Sequence, residues 1–306
     1  MLRDLFVRSV VAGTLLGTLA VACTGSESPT LTTTSTRSKA PTTGATSSSS
    51  SQTQTPSQSI PRTFDPKNFT DKPTDVNRWL PMVPGIQSVR KGYVNVGGRR
   101  IPHIRVTTIT DVTKMIDGVR AVLVLDQDFD GEQLAEQAID YLAEDVGGNV
   151  WYVGAYTEVY EGGQFLNAED AWLAGVNGTP AGLYFPAKPK VGAPPFYQTK
   201  IPGGEQSIAE VVKVDQETCV PFKCYTGVVV IQEGGSENKY WAPGVGGILT
   251  EPLSGGAQET EELVNITQLS AKALAELSAE VLKLDRHASV TVPSVFGGSD
   301  PAKRGL

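Results

Sequence analysis

From Tyr93 to Thr250 the chain repeats one pattern: a short apolar or alternating run, closed by Gly, Pro or Asn. Tyr93-Val94-Asn95-Val96, then Gly97-Gly98, then Ile101 to Thr108 lays out a β-hairpin with a Gly-Gly turn. Ala121 to Leu125 is continuously apolar, as a buried strand is. Val150-Trp151-Tyr152-Val153 is entered through Gly147-Gly148-Asn149, and Val159-Tyr160, Gly162-Gly163, Phe165-Leu166 reads as a second tight hairpin. Leu183 to Phe185, Val211 to Val214, Val228 to Ile231, Lys239 to Trp241 and Gly246 to Thr250 continue the series. Short strands at regular spacing with Gly/Pro turns predict a mainly β fold, an antiparallel sheet or barrel.

Helical spacing enters near the C-terminus. Leu274, Leu277, Val281 and Leu284 recur every three or four residues between Thr267 and Asp285. Thr267 is placed to cap this helix, and Lys283 and Arg286 suit its C-terminal dipole. The stripe either packs on the sheet or meets a partner helix. Glu132 to Asp145 supports two readings. It is rich in Ala, Glu, Gln and Leu, and Leu134, Ala138, Tyr141 and Leu142 would share a helical face. With period two, Leu134, Ala138 and Leu142 lie on one side of a long strand. The Pro-rich segment Phe64 to Pro84, with Trp79, reads as an irregular stretch packed onto the domain, and the tail from Val290 as Pro/Gly-rich and flexible.

The N-terminus follows neither period. Arg3 and Arg8 precede an apolar stretch from Val10 to Ala22, too short to span a bilayer as a permanent helix. A positive start, a short apolar run and small residues at its end describe a secretory signal over residues 1–22. The end, Leu19-Ala20-Val21-Ala22-Cys23, resembles the lipobox of bacterial lipoproteins, whose Cys is acylated and becomes the new N-terminus. The other reading is an ordinary secreted protein cleaved near Ala22. Residues 23–60 read as the lipidated Cys23 and a polar tether: 22 of the 36 residues from Thr24 to Ser59 are Ser or Thr. With so few apolar groups, burial cannot offset chain entropy, so disorder is expected. As a coil the tether spans on the order of 30 Å. Stable anchoring takes two or more acyl chains, here of the palmitate kind. Residues 61–306 are then a single mainly β domain with a C-terminal helix.

Composition narrows the function classes. With 26 Lys plus Arg against 33 Asp plus Glu, the net charge of −7 lacks the basic footprint of a nucleic-acid binder. Two His leave little for a metal centre.

Three blocks carry a resemblance: Gly148-Asn149-Val150-Trp151-Tyr152; Trp172 with Ala174-Gly175-Val176; and Lys239-Tyr240-Trp241-Ala242-Pro243-Gly244-Val245-Gly246. They are similar to a group of uncharacterised secreted actinobacterial proteins and lipoproteins. The last block also resembles the closing strands of envelope proteins with a curved antiparallel sheet. The resemblance spans roughly 89–253. It implies a curved meander or half-barrel, with Glu132 to Asp145 as a strand, and no catalytic residues or cofactor.

The chemistry visible in the chain is sparse. Asp126-Gln127-Asp128-Phe129-Asp130-Gly131 copies the first half of a calcium loop, but Gln137 stands where the bidentate Glu belongs. Asp126, Asp128 and Asp130 are therefore either a weak surface calcium site or an acidic hairpin turn. Cys219 and Cys224 form an even pair in an oxidising compartment and are expected to bridge. His103, on a predicted strand, and His287, just past the helix, read as surface or capping residues. There is no Gly-x-Ser-x-Gly elbow, His-Glu-x-x-His or phosphate-binding Gly loop. Trp151, Tyr152, Trp172, Tyr240 and Trp241 are core aromatics or the lining of a ligand site.

Three functions remain in play for a chain held to the extracytoplasmic face of the membrane by its lipid anchor. It is a non-enzymatic module for an apolar or amphipathic envelope ligand, a structural or interaction protein meeting envelope partners, or, least supported, an envelope hydrolase.

Overall fold

The structure, a computed structural model, describes residues 63–70, 77–96, 98–253 and 260–305. The signal segment, Cys23 and the tether lie outside these residues.

The strand pattern is realised in longer elements than expected. The strands are β1 (Ile86–Val96), β2 (Arg99–Ile116), β3 (Val119–Asp130), β4 (Gln133–Glu144), β5 (Val150–Glu161), β6 (Gln164–Leu173), β7 (Gly182–Phe185), β8 (Phe196–Lys200), β9 (Gln206–Cys219), β10 (Cys224–Glu233), β11 (Glu237–Ala242), β12 (Gly246–Pro252), β13 (Thr260–Gln268) and β14 (Lys303–Arg304). Helices α1 (Ala271–Thr291) and α2 (Pro293–Phe296) precede β14. All ladders are antiparallel. They build one open sheet in the order β6-β5-β4-β3-β2-β1-β13-β12-β11-β10-β9-β8, with β7 also on β5 and β14 on β2.

Most neighbours are successive hairpins, which alternation and Gly turns specify locally. Along the main strand order the exception is β1 with β13, which joins two meanders across more than 160 residues of sequence. Here Gly92 opposes Glu261, and a Cβ on Gly92 would sit 1.6 Å from the Thr260 carbonyl oxygen. Only glycine admits β13 this closely. Gly182 plays the same part where β7 meets β8: a Cβ there would fall 1.8 Å from the Gln198 carbonyl oxygen.

Strand β4 overrides its helical propensity. It pairs along its length with β3 and β5, and Ala138, Ile139, Tyr141 and Leu142 are buried on alternating faces. A helix would gather Ala138, Tyr141 and Leu142 on one face, whereas the strand buries both of its faces. One face of β4, with Ile139 and Tyr141, belongs to the main core beneath α1. The other, with Ala138, Asp140 and Leu142, faces a cavity.

Helix α1 starts later than Thr267, which remains in β13. Ser270 is the cap, its hydroxyl accepting from the Ala273 amide at 3.2 Å. The helix also runs on to Thr291, so Lys283 and Arg286 are not in its last turn and His287 lies inside it. Its stripe packs on the sheet through Val281, Leu284 and Ala288, joined by two polar residues, Ser278 and Asp285. The Asp285 carboxylate accepts from Lys114 Nζ and the Tyr141 hydroxyl, both at 2.8 Å, and from the Ala302 amide at 3.1 Å.

The tail from Val290, expected to be flexible, packs onto the domain. Phe296 is fully buried against Tyr141 and Tyr156, at ring distances of 6.2 and 5.5 Å. Beyond it, β14 adds to β2 and Arg304 grips Asp111 at 2.6 Å. The irregular segment before β1 packs down as expected: Phe64 lies 5.5 Å from Trp151, and Trp79 is 6.2 Å from Phe185. Cys219 and Cys224 are bonded across the β9–β10 hairpin.

Candidate functional site

Alternation on β2 and β3 sends His103, Arg105 and Thr107, and opposite them Asp130, Asp128 and Asp126, to a single face. Each cross-strand pair is a contact. His103 Nδ1 lies 2.9 Å from Asp130, Arg105 Nε donates to Asp128 at 2.9 Å, and the Thr107 hydroxyl donates to Asp126. This corrects the calcium-loop reading. The three aspartates are on extended backbone, where alternate residues stand roughly 6.8 Å apart, and cannot wrap one ion as a loop does. Among the described residues no group of three or more His, Cys, Asp or Glu is placed to hold a metal. The turn begins after them, at Gly131.

His103 is likewise not at the surface. It is 1% exposed, between Asp130 and Glu261. Glu261, on β13, is fully buried and meets Arg90 Nε at 3.1 Å and Arg105 Nη1 at 2.9 Å. Burial pushes its carboxyl up, but Arg105 and Arg90 outweigh this and hold it well below the usual carboxylate range. A second group comes from β10 and β11. Lys239 Nζ sits 3.1 Å from Glu233 and 2.7 Å from Glu237, while Gln198 on β8 donates to Glu233 at 3.0 Å. Burial opposes the Lys239 charge, yet the two glutamates keep its ammonium above its ordinary value.

These charged rows form part of a cavity of about 100 Å³. Its lining comes from strands on both arms of the sheet: Arg90 on β1, Arg105 and Thr107 on β2, Asp126 on β3, Asp140 on β4, Tyr152 on β5, Asp170 on β6, Tyr184 on β7 and Lys239 with Trp241 on β11. The face that brings them together is therefore the concave one. Leu80, Met82, Ile86, Ile109, Val124, Leu142, Val245 and Leu249 supply apolar lining. The Tyr152 hydroxyl donates to Asp140 at 2.5 Å. Burial, then Asp140 and Asp170, push that phenol well above its ordinary value, so it stays a donor.

Of the five aromatics expected to form a lining, Tyr152 and Trp241 do so. Trp172 packs edge-on against Tyr152 at 5.1 Å without lining the cavity. Trp151 belongs elsewhere, against Phe64, with its indole N–H donating to Asp145 at 2.9 Å. Tyr240, one residue from Trp241 on β11, is in a smaller apolar cluster and donates to Glu251 at 2.8 Å. Sequence reading missed Tyr184 and the charged rows. Polar residues alternating along a strand look like a solvent face until distant strands fold over them.

The other histidine marks a separate cluster. His287 Nδ1 lies 2.5 Å from Glu158, which also accepts from the Tyr156 hydroxyl at 2.8 Å. Among the described residues no Ser, Thr or Cys is set there as a nucleophile by a contact with the His287 ring; the nearby Thr291 hydroxyl donates back to the His287 carbonyl at 2.9 Å and anchors the helix end.

No protein-family model matches the chain, and no curated protein sequence matches it. Solved structures that do match include a protein assigned as exported, with a YmcC-like fold, from Bacteroides fragilis. It is 13% identical, with a TM-score of 0.33 over 62% of this chain and 99% of that one. Another is a protein assigned as a lipoprotein, from Parabacteroides distasonis, 11% identical with a TM-score of 0.29 over 63% of this chain and all of that one. At these values no residue of either is carried over.

Proposed function

We propose that the chain is an extracytoplasmic, lipid-anchored binding module whose concave face holds one part of an amphipathic ligand without transforming it. The observation that carries this reading is the cavity of about 100 Å³, lined on the same face by apolar side chains and by ordered charge. Drug-sized pockets run from ~300 Å³ upward. This one therefore takes a single group of its ligand, not a whole acyl chain. Hydrolysis has little support: among the described residues the lining has no Ser or Cys beside a His, and Asp126 and Asp140 accept from the Thr107 and Tyr152 hydroxyls. The anchored location rests on the signal segment, Cys23 and the tether; Cys23→Ala is expected to release the chain into the medium.

The test is to purify the full chain, extract it with organic solvent and identify what leaves it by mass spectrometry. A bound amphiphile is expected from the wild type and from Tyr240→Ala, and is expected to be lost from folded Trp241→Ala. An empty wild type, or equal retention by Trp241→Ala, would contradict the reading.

A further inference from the structure

The cavity lining is unusual in two respects at once. Asp126, Asp140 and Asp170 reach it from three strands, and the rings of Tyr152, Tyr184 and Trp241 line it with them. These rings form a continuous edge-to-face row: Tyr152 to Tyr184 at 5.3 Å and Tyr184 to Trp241 at 6.0 Å. Asp170 is aimed inward by a bulge. The β5–β6 register skips between Ala155 and Thr157, and Asp170 takes φ 51°, a conformation uncommon outside glycine.

The lining cations do not reverse the sign of the site. Arg90, Arg105 and Lys239 each already contact carboxylates set into the wall. Those wall carboxylates, Asp128, Glu233, Glu237 and Glu261, together with the three lining aspartates, outnumber the three cations among the described residues. Tyr152 and Tyr184 are kept protonated, by burial first and then by Asp140 in both cases, so they add donors and no charge.

A separate observation points to a ligand. Trp241 is 5% exposed, its ring lines the cavity, and its indole N–H has no hydrogen-bond partner. A buried donor without an acceptor is costly, and a ligand oxygen would satisfy it.

We infer that the cavity receives an organic ammonium group with an oxygen a few bonds away, the carboxylates and ring faces holding the cation and the Trp241 indole N–H donating to the oxygen. This rests on the binding-module reading and names the chemistry of the ligand. About 100 Å³ suits a group of a few heavy atoms. The same chemistry occurs in free amino alcohols and in lipid headgroups.

The experiment titrates the full chain, in nonionic detergent, with choline, with its neutral isostere 3,3-dimethylbutan-1-ol and with acetate, followed by tryptophan fluorescence and calorimetry. Choline is expected to bind saturably, and the isostere about tenfold or more weaker, since it keeps the shape and loses the charge. Asp140→Asn and Asp170→Asn, each checked for an unchanged urea midpoint, are expected to weaken choline by a similar factor. Dihexanoylphosphocholine separates the sources: a gain of about tenfold or more over choline assigns a lipid headgroup, and parity assigns a free amine. Equal binding of the isostere, preference for acetate, or choline binding that both Asn variants leave unchanged would overturn the inference. So would no choline binding by a wild type that still yields an amphiphile on extraction, and in that case the binding-module reading stands.

Discussion

The two faces of the sheet bury charge in opposite ways. Beneath α1, Lys114 and Asp285 form one enclosed pair in a close-packed apolar core, with the Tyr141 hydroxyl and the Ala302 amide also donating to the carboxylate. On the concave face, charge runs in rows along β2, β3, β10, β11 and β13 and borders empty space. Enclosed ion pairs contribute little net stability but fix register, because the alternatives leave a charge unpaired. The helix-face pair fits that role, pinning α1 and, through the Ala302 amide, the tail. The rows also tie strands together, as Glu261 on β13 does with Arg90 on β1 and Arg105 on β2, but they do so beside a cavity rather than inside a closed core. Under the proposed function, the difference separates a face that closes from a face that receives a ligand.

The largest expected effect breaks the closed face. Asp285→Ala leaves the Lys114 ammonium buried alone and should cost about 3–5 kcal/mol, read from the urea midpoint. Replacing both partners with apolar residues, Lys114→Met with Asp285→Leu, should recover most of this. If the double variant is as unstable as the single, the pair does more than pin the helix.

On the concave face, Glu261→Gln keeps the shape and removes the charge shared by Arg90 and Arg105, at about 2–3 kcal/mol near neutral pH. The folded carboxyl titrates well below the ordinary 4.5, so its contribution is complete above that pH and is lost as the pH falls towards the folded value. Stability curves of wild type and Glu261→Gln should therefore converge below pH 4.5. A constant gap down to pH 2 would contradict the assignment.

Smaller effects mark elements outside the comparison. Changing Cys219 and Cys224 to Ser together should lower stability by about 2 kcal/mol, the loop entropy of a short bridge. Ser270→Ala should cost about 1 kcal/mol as a lost helix cap. Thr267→Ala should cost less, because Thr267 lies on β13 and does not cap the helix.

What was legible in the chain follows from how local each cause is. The β1–β2 pairing and the hairpin at Gly162-Gly163 were readable because a turn and two flanking runs specify them. The Cys219–Cys224 bridge was readable from parity and spacing. The helix was found but misplaced by several residues, since Thr267 and Ser270 are both acceptable caps and the choice depends on β13 pairing with β1. That same long-range pairing carries Glu261 beneath Arg90 and Arg105 and buries His103. No local pattern announces it, so the Asp126, Asp128 and Asp130 series looked like a loop. The cavity depends on it too, which is why Trp151 and Tyr240 seemed as eligible for the lining as Tyr152 and Trp241.

The four tryptophans offer a direct test of the proposal that the concave face receives a ligand. The indole N–H groups of Trp79 and Trp151 are satisfied by the Gly227 carbonyl and by Asp145, whereas those of Trp172 and Trp241 have no hydrogen-bond partner. Their resonances can be followed by nitrogen-15 NMR as an extract of envelope lipids is added to the full chain. The Trp241 resonance should shift strongly and saturably, Trp172 should follow through Tyr152, and Trp151 should stay in place. A shift confined to Trp151, with Trp241 unmoved at saturation, would contradict the account.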